Sequence, residues 1–151
     1  MIPNATLLKV INGEIDYSSD DIRVGLLDDS DPYVADPDAH EFVSDLLAAA
    51  NEYSDAGYDR QQLDNQTTAQ DDANNRAVWD GDDVTFPDLG SSDGDTIQAA
   101  FLFKQETDDT DSPVLRVVEE DDVEDFPLAT NGQDVTIQWD SEDGIKTQAV
   151  E

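Results

Sequence analysis

Short apolar blocks of strand length, one strictly alternating segment and glycine-containing turn dipeptides between them predict a mainly β chain. The expected fold is a single antiparallel β-sandwich with one short helix, forming one domain over residues 1–151.

In chain order, residues 5–11 suit either a short helix or an edge strand. Asp21-Ile22-Arg23-Val24-Gly25-Leu26-Leu27 begins with polar/apolar alternation and ends wholly apolar, as a strand does on entering a core. Over residues 40–53, Phe42, Val43, Leu46, Leu47 and Ala50 recur at helical spacing, with Asp36 or Asp38 upstream as a cap; this is the expected helix. Residues 58–75 are polar and rich in Gln, Asn and Thr, and read as a long loop around one weak strand.

Ala77-Val78-Trp79 is a β-rich run, and Val84-Thr85-Phe86 a shorter one that Pro87 should stop. Residues 97–103 are almost continuously apolar, which predicts a central strand buried on both faces. The acidic stretch 107–112 should be an exposed loop before the strand Val114-Leu115-Arg116-Val117-Val118. Asp134-Val135-Thr136-Ile137-Gln138-Trp139-Asp140 alternates throughout, placing Val135, Ile137 and Trp139 on one face. Turns are marked by Asp80-Gly81, Asp93-Gly94, Asn131-Gly132 and Asp143-Gly144. No internal repeat or low-complexity linker interrupts the pattern.

Charge bears on where such a fold works. Asp and Glu number 38 against seven Lys and Arg, and the formal net charge is −31. The only lysines are Lys9, Lys104 and Lys146. At ordinary ionic strength this much like charge works against a compact state. In molar salt the screening length falls to roughly 3 Å and the same surface becomes a solubilising coat. The expected setting is near-saturated salt, in a halophilic archaeon or one of its viruses. Scattered single cations give no phosphate-binding patch, so no nucleic-acid partner is expected. No apolar stretch reaches the ~20 residues that span a bilayer, and residues 1–4 show no secretory leader. A soluble cytoplasmic product without a membrane partner is expected. Cysteine is absent, which excludes disulfides, thiolate metal sites and thiol nucleophiles.

Motifs for chemistry are sparse. His40 is the sole histidine; His40-Glu41 lacks the second histidine of a zinc-protease helix and reads as structural or surface. Asp28-Asp29-Ser30-Asp31, Asp80-Gly81-Asp82-Asp83 and Asp108-Asp109-Thr110-Asp111 offer oxygen ligands for hard cations, but none completes the EF-hand pattern. A metal site therefore stays open, with weak K⁺ or Na⁺ association favoured over a specific Ca²⁺ or Mg²⁺ site. Carboxylate pairs for glycoside hydrolysis carry no information in so acidic a chain. No G-x-S-x-G nucleophile context occurs, and Gly90-Ser91-Ser92 lacks the lysine and helix of a phosphate cradle. No catalytic residue and no cofactor are expected. Asn4-Ala5-Thr6 and Asn65-Gln66-Thr67 match the glycosylation acceptor pattern, Asn65 in the more loop-like context. Trp79 and Trp139 read as core aromatics, whereas Tyr17, Tyr33, Tyr53 and Tyr58 lie in turn-rich stretches and should be partly exposed.

Several stretches together resemble a small structural-protein family of tailed viruses of bacteria and archaea. Gly13-Glu14-Ile15-Asp16 leads into the strand at Asp20-Asp21-Ile22-Arg23-Val24-Gly25-Leu26-Leu27. Asp38-Ala39-His40-Glu41-Phe42-Val43-Ser44-Asp45 and Ala77-Val78-Trp79-Asp80-Gly81-Asp82-Asp83-Val84-Thr85-Phe86 follow. Phe101-Leu102-Phe103-Lys104, Asp111-Ser112-Pro113-Val114-Leu115 and Asn131-Gly132-Gln133-Asp134-Val135-Thr136-Ile137-Gln138-Trp139 complete the set. The chain departs from that family in its acidity and in an insertion-like Leu46-Leu47-Ala48-Ala49-Ala50.

The resemblance implies a β-sandwich virion component without catalytic residues. The expected function is a non-enzymatic virion structural protein of a haloarchaeal tailed virus, a capsid decoration or turret type present in multiple copies. Its partners would be itself and the major capsid or tail proteins, after synthesis in the host cytoplasm. The alternative is a tail- or fibre-associated receptor- or carbohydrate-binding module. A cellular haloarchaeal β-sandwich of unrelated role comes third, and a hydrolase last.

Overall fold

The computed structural model describes residues 1–91, 94–119, 125–140 and 144–145. The fold is mainly β and antiparallel. Helix α1 (Asn4–Ile11) precedes strand β1 (Ile22–Asp28), and helix α2 (Val43–Leu47) precedes β2 (Gln61–Gln62), β3 (Thr67–Asp71), β4 (Arg76–Asp80) and β5 (Val84–Leu89). Then come β6 (Thr96–Lys104), β7 (Val114–Val118), β8 (Leu128–Ala129) and β9 (Gln133–Ile137).

The central sheet runs β2-β1-β6-β7, with β8 also paired to β6. Its middle strand is β6, wholly buried from Ala99 to Phe103 as its continuous apolar run predicts. Side chains leave β6 to both faces, and each face has its own core. On one side Ile22, Val24, Leu26, Ala100 and Leu102 pack with Val84, Phe86 and Leu89 of β5, Ile137 of β9 and Trp79 of β4. On the other, Leu27, Phe101, Phe103 and Val114 pack with Val43 and Leu46 of α2 and with Tyr33. Gly25 pairs with Phe101 across the sheet, and the Phe101 ring occupies the place of its missing Cβ, 2.3 Å from where that atom would stand.

The arrangement is sandwich-like, but the layer facing the central sheet is two separate two-stranded sheets, β3-β4 and β5-β9. Pro87 does not end β5. The strand continues to Leu89 because, among the described residues, β5 pairs with β9 alone, and Pro87 falls where that ladder skips from Phe86 to Leu89, so its missing N–H breaks no paired position. The pairing slips between Phe86 and Leu89, where Asp88 takes φ 48°. The polar stretch 58–75 holds two strands rather than one, β2 and β3.

Among the described residues two helices form, where the sequence predicts one and leaves residues 5–11 open between helix and edge strand. Residues 5–11 resolve as α1, which ends in a Schellman turn: Gly13 adopts φ 74°, its N–H bonds the Val10 carbonyl, and the Glu14 N–H bonds the Lys9 carbonyl. The other helix is much shorter than residues 40–53. Neither Asp36 nor Asp38 caps it; Asp36 accepts the Asp38 and Ala39 N–H groups of its own turn. The first N–H groups of α2 bond loop carbonyls instead, Val43 to Ser112 and Ser44 to Asp109, while the Asp45 carboxylate accepts the Phe42 N–H. After α2 the chain is drawn to the edge of β1, where Asn51 accepts the Asp28 N–H and the Tyr53 N–H reaches the Leu26 carbonyl. Two backbone bonds to a sheet edge displace further helical turns there.

Candidate assembly surface

The expected chemical residues lie in separate places. His40 is buried against Tyr33, ring centroids 5.6 Å apart, and its Nδ1 and the Tyr33 hydroxyl are both buried without a hydrogen-bond partner among the described residues. Gly90 and Ser91 lie in the β5–β6 connection, where Ser91 donates to Asp55. Ser92, Asp93, Asp143 and Lys146 lie outside the described residues.

The Asp clusters satisfy their own turns. Asp28 accepts from the Ser30 N–H and hydroxyl, and Asp108 from the Thr110 N–H and hydroxyl. Asp80 accepts the Gly81 N–H, Asp82 the Asn65 amide and Asp83 the Trp139 N–H. The Thr110 hydroxyl and then its N–H hold the Asp108 carboxyl below its ordinary value; the Ser18 hydroxyl and N–H do the same for Asp16. Among the described residues no group of three or more His, Cys, Asp or Glu could hold a metal ion.

The cations are likewise engaged locally. Lys9 pairs with Glu41 at 3.0 Å, Arg23 with Asp21, Arg76 with Asp71, and Lys104 with Asp20 and Glu106. Arg60 is the most constrained: its guanidinium forks onto Glu52 at 2.6 and 2.8 Å and onto Asp109 at 2.6 and 2.8 Å. It also lies over the Phe101 and Phe103 rings, 5.6 and 5.0 Å from their centroids. Burial works against its charge, but the hydrogen bonds to Glu52 and Asp109 outweigh it and raise its pKa. Nothing in the sequence marked this cluster, because its members stand 8 and 49 residues from Arg60.

The aromatic expectations divide. Trp79 is buried and stacks on Tyr17 at 4.5 Å; Trp139 is half-buried against the same core, its indole N–H donating to the Asp82 carbonyl. The tyrosines do not form a partly exposed set. Tyr53 and Tyr33 are buried, while Tyr17 and Tyr58 are half-buried. The cause is pairing across the fold: the Tyr53 hydroxyl meets Thr130 at 2.7 Å, and that of Tyr58 donates to Glu52 and accepts the Leu26 N–H. Burial raises all four phenols above the ordinary value of 10, Tyr17 to about 12, with Glu52 adding to the shift at Tyr58 and Glu119 and Asp36 at Tyr33. A phenol raised in the folded state stabilises the fold fully below pH 10 and withdraws that stability as the pH climbs toward its folded value. In molar KCl the tyrosinate absorbance at 295 nm should therefore stay flat through pH 10 and rise together with loss of ellipticity. Two or more phenols ionising near pH 10 with the dichroism intact would contradict this burial.

Exposed apolar surface is concentrated on α1. Its inner face carries Thr6, whose hydroxyl bonds the Val114 carbonyl, and Val10, which packs on the core. Its outer face carries Leu7, Leu8 and Ile11, exposed by 40, 58 and 81%. These positions, three and four apart, form one stripe. Just ahead of α1, Met1 exchanges backbone hydrogen bonds with Val117 at 2.6 and 2.8 Å and lies against the outer edge of β7. Residues 1–13 contain no Asp or Glu, the longest such run in the chain. The next longest, 96–105, is essentially the buried strand β6. The acid-free run was the sequence signal for this surface.

No family model, curated protein or solved structure matches the chain.

Proposed function

We propose that this protein is a non-enzymatic structural component of a haloarchaeal tailed virus, assembling in multiple copies on the particle as a capsid decoration or turret protein. The observation that carries the reading is the combination of a −31 coat with one acid-free, apolar helix face. A coat of that sign keeps a protein soluble in molar salt, and an uncharged gap in it is where apolar burial can drive association. The resemblance of the strand and turn motifs to tailed-virus structural proteins supplies the particle. The alternative, a fibre-associated receptor- or carbohydrate-binding module, would draw on exposed tyrosines and a calcium loop; Tyr33 and Tyr53 are buried, and Tyr17 and Tyr58 are half-buried.

Mass spectrometry of particles purified in high salt tests the proposal. A copy number near that of the major capsid protein is the expected result, and a small fraction of it would move the protein to a vertex, neck or tail. Complete absence from particles overturns the reading.

A further inference from the structure

We infer that the outer face of α1 is a homotypic contact, packing against α1 of a second copy of this chain around a two-fold axis. Two copies each carrying −31 charges repel wherever their coats meet. The Leu7, Leu8 and Ile11 stripe is the exception, because it sits in the longest run of the chain free of Asp and Glu. The sole charged side chain in residues 1–13 is Lys9, and it is already paired with Glu41. The face therefore has no free charge with which to complement an acidic partner. What complements an uncharged apolar stripe is another one, and an isologous contact supplies it from the same sequence.

The setting suits such a contact. α1 is fixed to the body at three points: the Thr6 hydroxyl on the Val114 carbonyl, the Asn4 N–H on the Pro37 carbonyl, and the Lys104 ammonium on the Glu14 carbonyl just after the Schellman turn. A rigid helix loses little freedom on docking. The loop held at Pro37 also carries Val34, 75% exposed.

The inference shares with the proposed function only the premise of self-association, and the two fail separately. A monomer abundant in particles sinks this contact alone, and a dimer absent from particles sinks the virion reading alone. Sedimentation of the full chain in 3 M KCl should show a concentration-dependent dimer. Leu8→Asp combined with Ile11→Asp should weaken it by thirty-fold or more with unchanged dichroism. Because the chain has no cysteine, Ile11→Cys gives a second readout independent of that variant's folding. A short bis-maleimide should link Ile11→Cys into dimers at least ten-fold faster than Gln70→Cys on exposed β3. A chain monomeric at several hundred micromolar overturns the inference and leaves the face to a different apolar partner. A dimer that survives both aspartates, or an Ile11→Cys rate no faster than that of Gln70→Cys, overturns it as well.

Discussion

Dialysed from molar to millimolar KCl at neutral pH, the protein is expected to lose its β-sheet dichroism and its buried-tryptophan fluorescence. Two exposed carboxylates 7 Å apart repel by about 0.6 kcal/mol in unscreened water. A screening length of roughly 3 Å at 1 M cuts this about ten-fold, whereas at 0.01 M the length is roughly 30 Å and nearly all of it acts. With 38 acids against seven cations, like-charge repulsion dominates the folded surface, and the expanded chain relieves it. About ten to twenty-five pairs at that spacing would match the roughly 5–15 kcal/mol by which a domain is ordinarily stable. The cations cannot compensate locally, since Lys9, Arg23, Arg60, Arg76 and Lys104 are all already paired. A transition midpoint between 0.1 and 1 M KCl is the expected outcome. Adding sucrose at millimolar salt separates screening from general surface exclusion: full refolding in sucrose would point away from charge. A far-ultraviolet spectrum unchanged down to millimolar KCl would remove the salt-adapted reading altogether.

The strands were legible because burial on a sheet is written in local period. The continuous run 97–103 became β6 with core on both faces, and alternation placed Ile137 and Trp139 against one core. What the local pattern could not carry was competition between distant segments. The apolar spacing of 40–53 would serve a longer helix, but loop carbonyls at Asp109 and Ser112 set its start and the edge of β1 sets its end. Pro87 signals a break only for a strand with neighbours on both sides, and β5 has one. Tyr33 and Tyr53 looked exposed because turns surround them in sequence; their partners, Gln98 for the Tyr33 N–H and Thr130 for the Tyr53 hydroxyl, are 65 and 77 residues away. The candidate surface was legible only as an omission, the missing acids of residues 1–13.

Arg60→Ala should be the most damaging single surface-side substitution, costing about 2–3 kcal/mol in 3 M KCl. Four hydrogen bonds of 2.6–2.8 Å disappear, and two carboxylates that share one guanidinium are left facing each other. The figure stays below that for a fully buried pair because the Asp109 side chain is 38% exposed. Molar salt weakens long-range attraction but not direct contacts of this length, so the cluster keeps its value where surface pairs lose theirs. Its position multiplies the effect: Glu52 bridges to Leu27 on β1, the Asp109 carbonyl starts α2, and Phe101 and Phe103 lie beneath the guanidinium on β6. At roughly 2–4 °C per kcal/mol for a chain of this size, melting should fall by about 5–10 °C. Arg60→Lys should recover less than half, since an ammonium cannot fork onto two carboxylates at once. Arg23→Ala is the control, an exposed pair with Asp21 worth under about 0.5 kcal/mol. The same loss should appear in salt titration: with Glu52 and Asp109 unneutralised, the KCl midpoint of Arg60→Ala should lie above that of the parent chain. Coincident midpoints and melting within 1–2 °C would mean that the two phenylalanines and the backbone bonds hold this junction without the guanidinium.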